Sequence, residues 1–321
     1  MRAMQMIIMT AALATTCSAA AQNYPVRPIR IVVVSTPGGS VDTMARTVGP
    51  KLAERWGQQV LVDNRPGAGG TIAAELVAKA PPDGYTLIMG TVASFATNVS
   101  LRKSLPYDPV RDFAPISLVA TQNLMLLIHP SVPAKSVREL VALAKRQPGN
   151  LSFASAGNGT GGHLSGELFK LLAGIDMLHV PYKGVAPALV DVVSGQVSMT
   201  FASIISAMPQ VKNNRLRPLA VTGAQRSRAA KELPTMIEAG VQGYESATWY
   251  GLLAPAGTPA DIVTKLNSEV VAILKSPEMF DRLSKEGADP VGNSPAEFAR
   301  HIQAEIEKWR KVIKAAGIRP S

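Results

Sequence analysis

The chain has 321 residues, with 33 Lys and Arg against 23 Asp and Glu, a net charge of +10, four histidines and one cysteine, Cys17. That single cysteine leaves no disulfide scaffold and no cysteine metal site, so the fold rests on its own core. The basic residues are scattered in small groups, such as Arg226/Arg228/Lys231 and Lys308/Arg310/Lys311/Lys314, with a single aromatic residue, Trp309, among them. They read as solvated helix faces rather than a nucleic-acid surface, and the net charge serves instead to draw in small anions.

Residues 1–21 read as a signal peptide. Arg2 precedes an apolar run from Met6 to Leu13, which grades into small residues ending Ala19-Ala20-Ala21 before Gln22. The apolar run is too short for a permanent membrane span. A lipid anchor at Cys17 is the competing reading, but Thr16 stands where a small residue usually precedes such a cysteine. Cleavage near Ala21 predicts an exported, periplasmic protein with no cysteine and about 300 residues, enough for roughly two domains.

Ile29 to Val34 is an apolar run interrupted only by Arg30, as in a strand covered on both faces. A helix follows with apolar positions at Met44, Val48, Leu52 and Trp56, which Gly49-Pro50 should kink or split. Val60–Val62 and Thr86–Met89 read as further strands around a helix from Thr71 to Ala80, a βαβαβ pattern that predicts a mostly parallel sheet. A second such unit has strands at Leu151–Ala154, Met177–Val180, Val197–Phe201 and Leu216–Val221, with a helix from His163 to Ala173. Two long extended stretches, Ile116–His129 and Thr248–Leu253, suit a pair of crossover strands between two lobes. The expected division is 22–122 plus 225–321 for one lobe and 123–224 for the other. Ser136, Thr258 and Ser294 each open a helix with a capping hydroxyl.

Three glycine-rich turns carry the functional signal: 37–40, 66–70 and 156–162. Each follows a strand and opens a helix, where unpartnered N–H groups and the helix dipole favour a carboxylate or phosphate. His163 stands in the third turn, placed either to touch a ligand or to cap the loop. His179 lies in a β run and reads as a core histidine.

Gly157-x-Gly159-x-x-Gly162 also matches the dinucleotide fingerprint, the basis of an oxidoreductase alternative. That fingerprint needs an acid at the end of the next strand, which here ends Val180-Pro181-Tyr182-Lys183. The histidines lack metal-ligand spacing, and neither a nucleophile elbow nor a P-loop occurs. No enzyme activity and no cofactor are expected.

The ordered segments Pro37-Gly38-Gly39-x-x-Asp42, Asn64-Arg65-Pro66-Gly67-Ala68-Gly69-Gly70, Leu105-Pro106-Tyr107-Asp108-Pro109, His163 to Phe169, Pro181-Tyr182-Lys183-Gly184 and Trp249 to Pro259 form a recognisable series. Over nearly the whole mature length the chain resembles the substrate-binding receptors of tripartite tricarboxylate transporters, the Bug family. The resemblance implies an α/β, two-lobed periplasmic-binding-protein-like fold (type II-like), each lobe a mostly parallel sheet flanked by helices, joined by two crossover strands. It also implies a monomeric receptor that closes on a small organic anion and hands it to a permease of one large and one small subunit. A same-fold receptor feeding a sensor kinase is the alternative. Carried onto this chain, the implied ligand contacts are Gly38, Gly39, Thr91, Ser94, Ser155, Gly157, Thr160 and Tyr182.

Two departures from that pattern bear on the ligand. Ser35 stands where relatives commonly carry an aromatic residue, and Ala202 where they carry an acid facing the cleft. Losing the aromatic residue widens one wall, and losing the acid removes a partner for an amino group. The expected ligand is bulkier than an amino-acid dicarboxylate and lacks a cation: an aromatic or longer-chain acid.

Overall fold

The structure is a computed structural model that describes residues 24–320 apart from Thr36, Gly39, Lys183, Gly184, Glu286 and Arg319. The segment expected to be a signal peptide, with Cys17, and the expected contact Gly39 lie outside the described residues.

The first parallel unit forms where the apolar runs fall. Strand β1 (Ile29–Val33) pairs in parallel with β2 (Val60–Asn64) and β3 (Thr86–Thr91), with Ile31 opposite both Val62 and Leu87. Helices α1 (Ser40–Trp56) and α2 (Thr71–Ala78) make the connections. Pro50 was expected to kink or split α1, but one helix runs through it. Buried Val48 and Leu52 on either side pack into the same core as Ile29 and Leu87, and that burial outweighs the one hydrogen bond a proline removes. A short helix, α3 (Asn98–Leu101), follows β3.

Strand β4 (Phe113–Ile128) then runs 16 residues without a break. A helix, α4 (Val137–Arg146), leads to the second unit, where β5 (Ser152–Ser155) pairs in parallel with β6 (Leu178–Pro181) and β7 (Met199–Ser203). The connecting helices are α5 (Gly161–Ala173) and α6 (Val185–Val193), and α7 (Ile204–Lys212) leads on to β8 (Arg217–Val221). The chain returns in β9 (Ala247–Pro255) and ends with α8 (Ala260–Leu274), α9 (Pro277–Lys285), β10 (Ala288–Pro290) and α10 (Pro295–Ala315). Ser294 makes a full capping box on α10 and Ser136 caps α4. Thr258 does not cap α8: its hydroxyl donates to the Pro255 carbonyl, and Pro259 holds the cap position.

Strand order is β2-β1-β3-β9-β4-β7-β5-β6, two parallel triplets on either side of an antiparallel β9–β4 pair. The first part of β4, Phe113–Asn123, pairs with β9; the rest, Leu124–Ile128, pairs with β7 and lies beside β8. One strand therefore belongs to both lobes.

The return crossing differs from the expectation that Thr248–Leu253 makes it. Thr222 N–H donates to the Leu124 carbonyl, its hydroxyl accepts Leu124 N–H, and Ser246 N–H donates to its carbonyl, so the chain crosses just before β9 begins. Of residues 225–246, expected with the first lobe, Arg228 does reach Phe280 of that lobe, while the stretch 235–244 packs against the second. Met236 N–H donates to the Val221 carbonyl, and the Tyr244 ring sits edge-on to Phe169 and stacked over Phe201. Buried apolar side chains in that segment decide its placement. Among the described residues no helix is long and apolar enough to cross a membrane.

Candidate functional site

Helices follow the carboxyl ends of the parallel strands, so their N-termini face the gap between the lobes. Two adjoining cavities occupy that gap. One, of about 200 Å³, is bounded by Thr160, Gly161, Gly162, Ala202, Thr248 and Tyr250, among others. The other, of about 330 Å³, is bounded by Gly38, Thr43, Met44 and Ser206. Ser40, Gln122 and Ser203 line both, which makes them two ends of one cleft. None of the described lining residues is charged.

Three helix starts meet here: Ser40 of α1, Gly161 of α5, and Ser203 at the cap of α7. Ser203 Oγ accepts Ser206 N–H at 3.3 Å and lies 2.5 Å from Ser206 Oγ. Gly162 fits only as glycine, because a Cβ there would stand 2.7 Å from the Phe201 carbonyl. That contact seats the start of α5 directly on β7. In the crossing strands, Tyr250 OH donates to Gln122 Oε1 at 2.5 Å, and burial pushes this phenol up to about 12, so it stays a neutral donor.

The first turn is partly self-satisfied. Gly38 N–H donates to Asp42 Oδ2 at 2.9 Å, and Arg46 Nε and Asn64 Nδ2 also reach that buried carboxylate. Burial opposes its ionisation, yet the bonds from Arg46, Gly38 and Asn64 hold the carboxyl below its usual range. Asp42 thus fixes the turn, and Gly38 lines the cleft by its backbone.

Of the other expected contacts, Thr160 and Ala202 line the cleft. Ser155 and Gly157 stand just behind it, joined by a bond from Gly157 N–H to Ser155 Oγ. His163 is buried and caps the turn, accepting Gly159 N–H at Nδ1. Thr91 and Ser94 bond each other at the end of β3, and Ser94 lies under Gly70. Tyr182 turns its hydroxyl to Asp191 at 2.5 Å, which, with some burial, raises it to about 12. Ser35 presents its carbonyl to Asn64. None of these last four lines either cavity.

The turn at 66–70 likewise lines neither, and packs on Asn98. Its place is taken by the α7 start, which has no glycine. Gln122, Ser203, Ser206, Thr248 and Tyr250 are lining residues that sequence reasoning passed over. The serines at 203 and 206, a capping pair at the end of a strand, were the available signal.

On the opposite face of β4 lies a further cavity of about 330 Å³, bounded by Thr121, Asn123, Arg226, Arg228, Phe280 and Asp289. Strand alternation separates it from the cleft: Gln122 and Leu124 face one side, Thr121 and Asn123 the other. The Arg228 guanidinium lies 4.1 Å from the centre of the Phe280 ring there. No group of three metal-ligating side chains occurs among the described residues.

The family model for the tripartite tricarboxylate transporter family receptor (TctC) matches residues 44–318. The chain belongs to this receptor family. Bug proteins are among the receptor's relatives: it is 36% identical to BugT of Bordetella pertussis over 311 residues, covering 97% of this chain and 95% of that one. It is 40% identical over 303 residues to a protein named for the tcbD-tcbE intergenic region of Pseudomonas sp. (strain P51), covering 93% and 90%. Among solved structures, Rpa4515 of R. palustris with adipate superposes at a TM-score of 0.80 with 43% identity, covering 93% of this receptor and all of that chain. MatC from Rhodopseudomonas palustris with bound malate gives 0.74 and 35%, covering 90% and all of that chain. The two-lobed fold read for this receptor is the fold of those structures.

Proposed function

We propose that this protein is a periplasmic receptor, exported by cleavage near Ala21, that closes as a monomer around a longer-chain dicarboxylate of the adipate type. It would then deliver that anion to the permease subunits of a tripartite tricarboxylate transporter. The observation that carries the reading is the meeting of three helix N-termini, α1, α5 and α7, in one cleft whose described lining has no charged side chain. Backbone N–H groups and hydroxyls there suit carboxylates, and each such bond contributes about 1.5–3 kcal/mol. A few of them reach micromolar binding, about −8 kcal/mol, without an arginine. The two-ended cleft suits an anion at each end with methylenes passing Ala202, and Rpa4515, 43% identical, is named with adipate. An amino-acid dicarboxylate would bring an ammonium group to Ala202, which has no acid to receive it. The lobes would pivot where Asn123–Leu124, Thr222 and Ser246 lie side by side.

Calorimetry on the mature protein with adipate, benzoate, malate, aspartate and glutamate tests this. Adipate should bind most tightly, at micromolar or better affinity. Tighter binding of aspartate or glutamate would overturn the ligand class, and no binding of any carboxylate would overturn the receptor reading.

A further inference from the structure

Behind the turn that opens α5 lies a pair of stacked imidazoles, His163 buried and His179 half-buried, that the cleft itself does not use. His163 Nδ1 accepts Gly159 N–H at 2.9 Å, and His179 Nε2 lies 2.7 Å from Ser155 Oγ. The same Oγ accepts Gly157 N–H at 3.1 Å. The two rings stack at 4.0 Å and 19°, and Phe153 continues the stack 4.8 Å beyond His179. Ser155 is 1% exposed and His163 4%, so water does not substitute for these bonds.

The turn they hold is not one a chain keeps by itself. Gly157 has φ +131°, in the region that glycine alone visits readily. Of its N–H groups, those of Gly157 and Gly159 are held by this cluster, and that of Thr160 by the Gly157 carbonyl. The next ones, at Gly161 and Gly162, belong to the first turn of α5, have no acceptor within the helix, and border the cleft.

We propose that His163 and His179 are positioning residues for anion capture: they fix the backbone of 157–160 so that the α5 N-terminus presents its free N–H groups to the ligand. The proposal rests on the reading of the cleft as an anion site. It requires His163 to be neutral, since Nδ1 must accept. Burial, with the neighbouring His179 and Lys170 adding to it, lowers His163 to about 3, and burial with Lys170 lowers His179 to about 4. Glu167 Oε1, 4.0 Å from His163 Nε2, faces the other nitrogen and is itself tied to Lys170 at 3.2 Å.

The test separates the acceptor from the ring. His163→Asn keeps an acceptor at nearly the position of Nδ1, whereas His163→Leu fills the space without one; Ser155→Ala removes the acceptor of Gly157 N–H and leaves the stack in place. Hydrogen exchange of the peptide spanning Gly157–Gly162, read without ligand, should speed up about tenfold or more in His163→Leu and Ser155→Ala, and far less in His163→Asn. Adipate affinity measured by calorimetry should fall about tenfold in the first two and be largely recovered in the third. Wild-type exchange in Ser155→Ala would overturn the proposal even if His163→Leu fails to fold. So would an equal loss in Asn and Leu, which would assign the effect to ring packing. Failure of the wild-type protein to bind adipate counts against the proposed ligand alone, because the exchange measurement still decides whether the imidazoles hold the turn.

Discussion

At the scale of single residues, the proposed ligand preference rests on Ala202. It lies on β7 against the cleft, 3% exposed, where an acid would meet either an ammonium group or a second anion. Ala202→Asp should therefore invert the preference. A carboxylate about 5 Å from the ligand's own costs about 3 kcal/mol at an effective dielectric of about 20, on the order of a hundredfold in affinity. Calorimetry should show that loss for adipate and a smaller loss for aspartate, with a cooperative melt retained. Ala202 was legible only through the family resemblance, in which an acid commonly stands at that position. Gln122, Thr248 and Tyr250 were not, since each sits in a long extended run whose two faces look alike until the partner strands are known. His163 was left open between ligand and cap, and its burial places it behind the turn.

Among elements, the start of α7 carries most of what sequence reasoning missed. Glycine-rich turns advertise themselves, yet Gly69 and Gly70 pack against Asn98 and Ser94 while the glycine-free Ser203 cap reaches the cleft. A glycine that admits a neighbouring side chain and one that admits a ligand read the same in sequence. Ser203→Ala removes the cap and a cleft hydroxyl together. We expect a loss of about 1 kcal/mol in stability by urea denaturation, and a drop in adipate affinity beyond what the lost stability accounts for. The strands of the two triplets were legible to within about three residues, since their inner members are largely apolar and buried, while the outer strands β2 and β6 are partly exposed. The unbroken α1 and the path of residues 225–246 were not, because tertiary burial decided both.

For the whole molecule, the stacked histidines tie stability to pH. Their folded values, about 3 for His163 and about 4 for His179, lie below the ordinary 6.5. The unfolded chain therefore takes up protons first as pH falls. Their contribution is complete above pH 6.5, declines on acidification, and levels off below about 3. Together they should cost on the order of a few kcal/mol by pH 4, allowing for the partial exposure of His179. Urea titrations at pH 7, 5.5 and 4 should show a shallower loss in a His163→Asn, His179→Gln double variant than in the wild-type protein.

The shared strand β4 has a bearing on how such receptors diversify. Each lobe owns a half of it, and Leu126 and Ile128 are as deeply buried in the second lobe as Ile116 and Val119 are in the first. A recombinant that takes one lobe from each of two relatives must splice inside a continuous hydrogen-bonded ladder, where a one-residue offset turns every inward side chain outward. New ligand preferences are therefore reached most readily by substitutions along the cleft walls, at positions such as 202 and 203, and swapping of halves is the harder route.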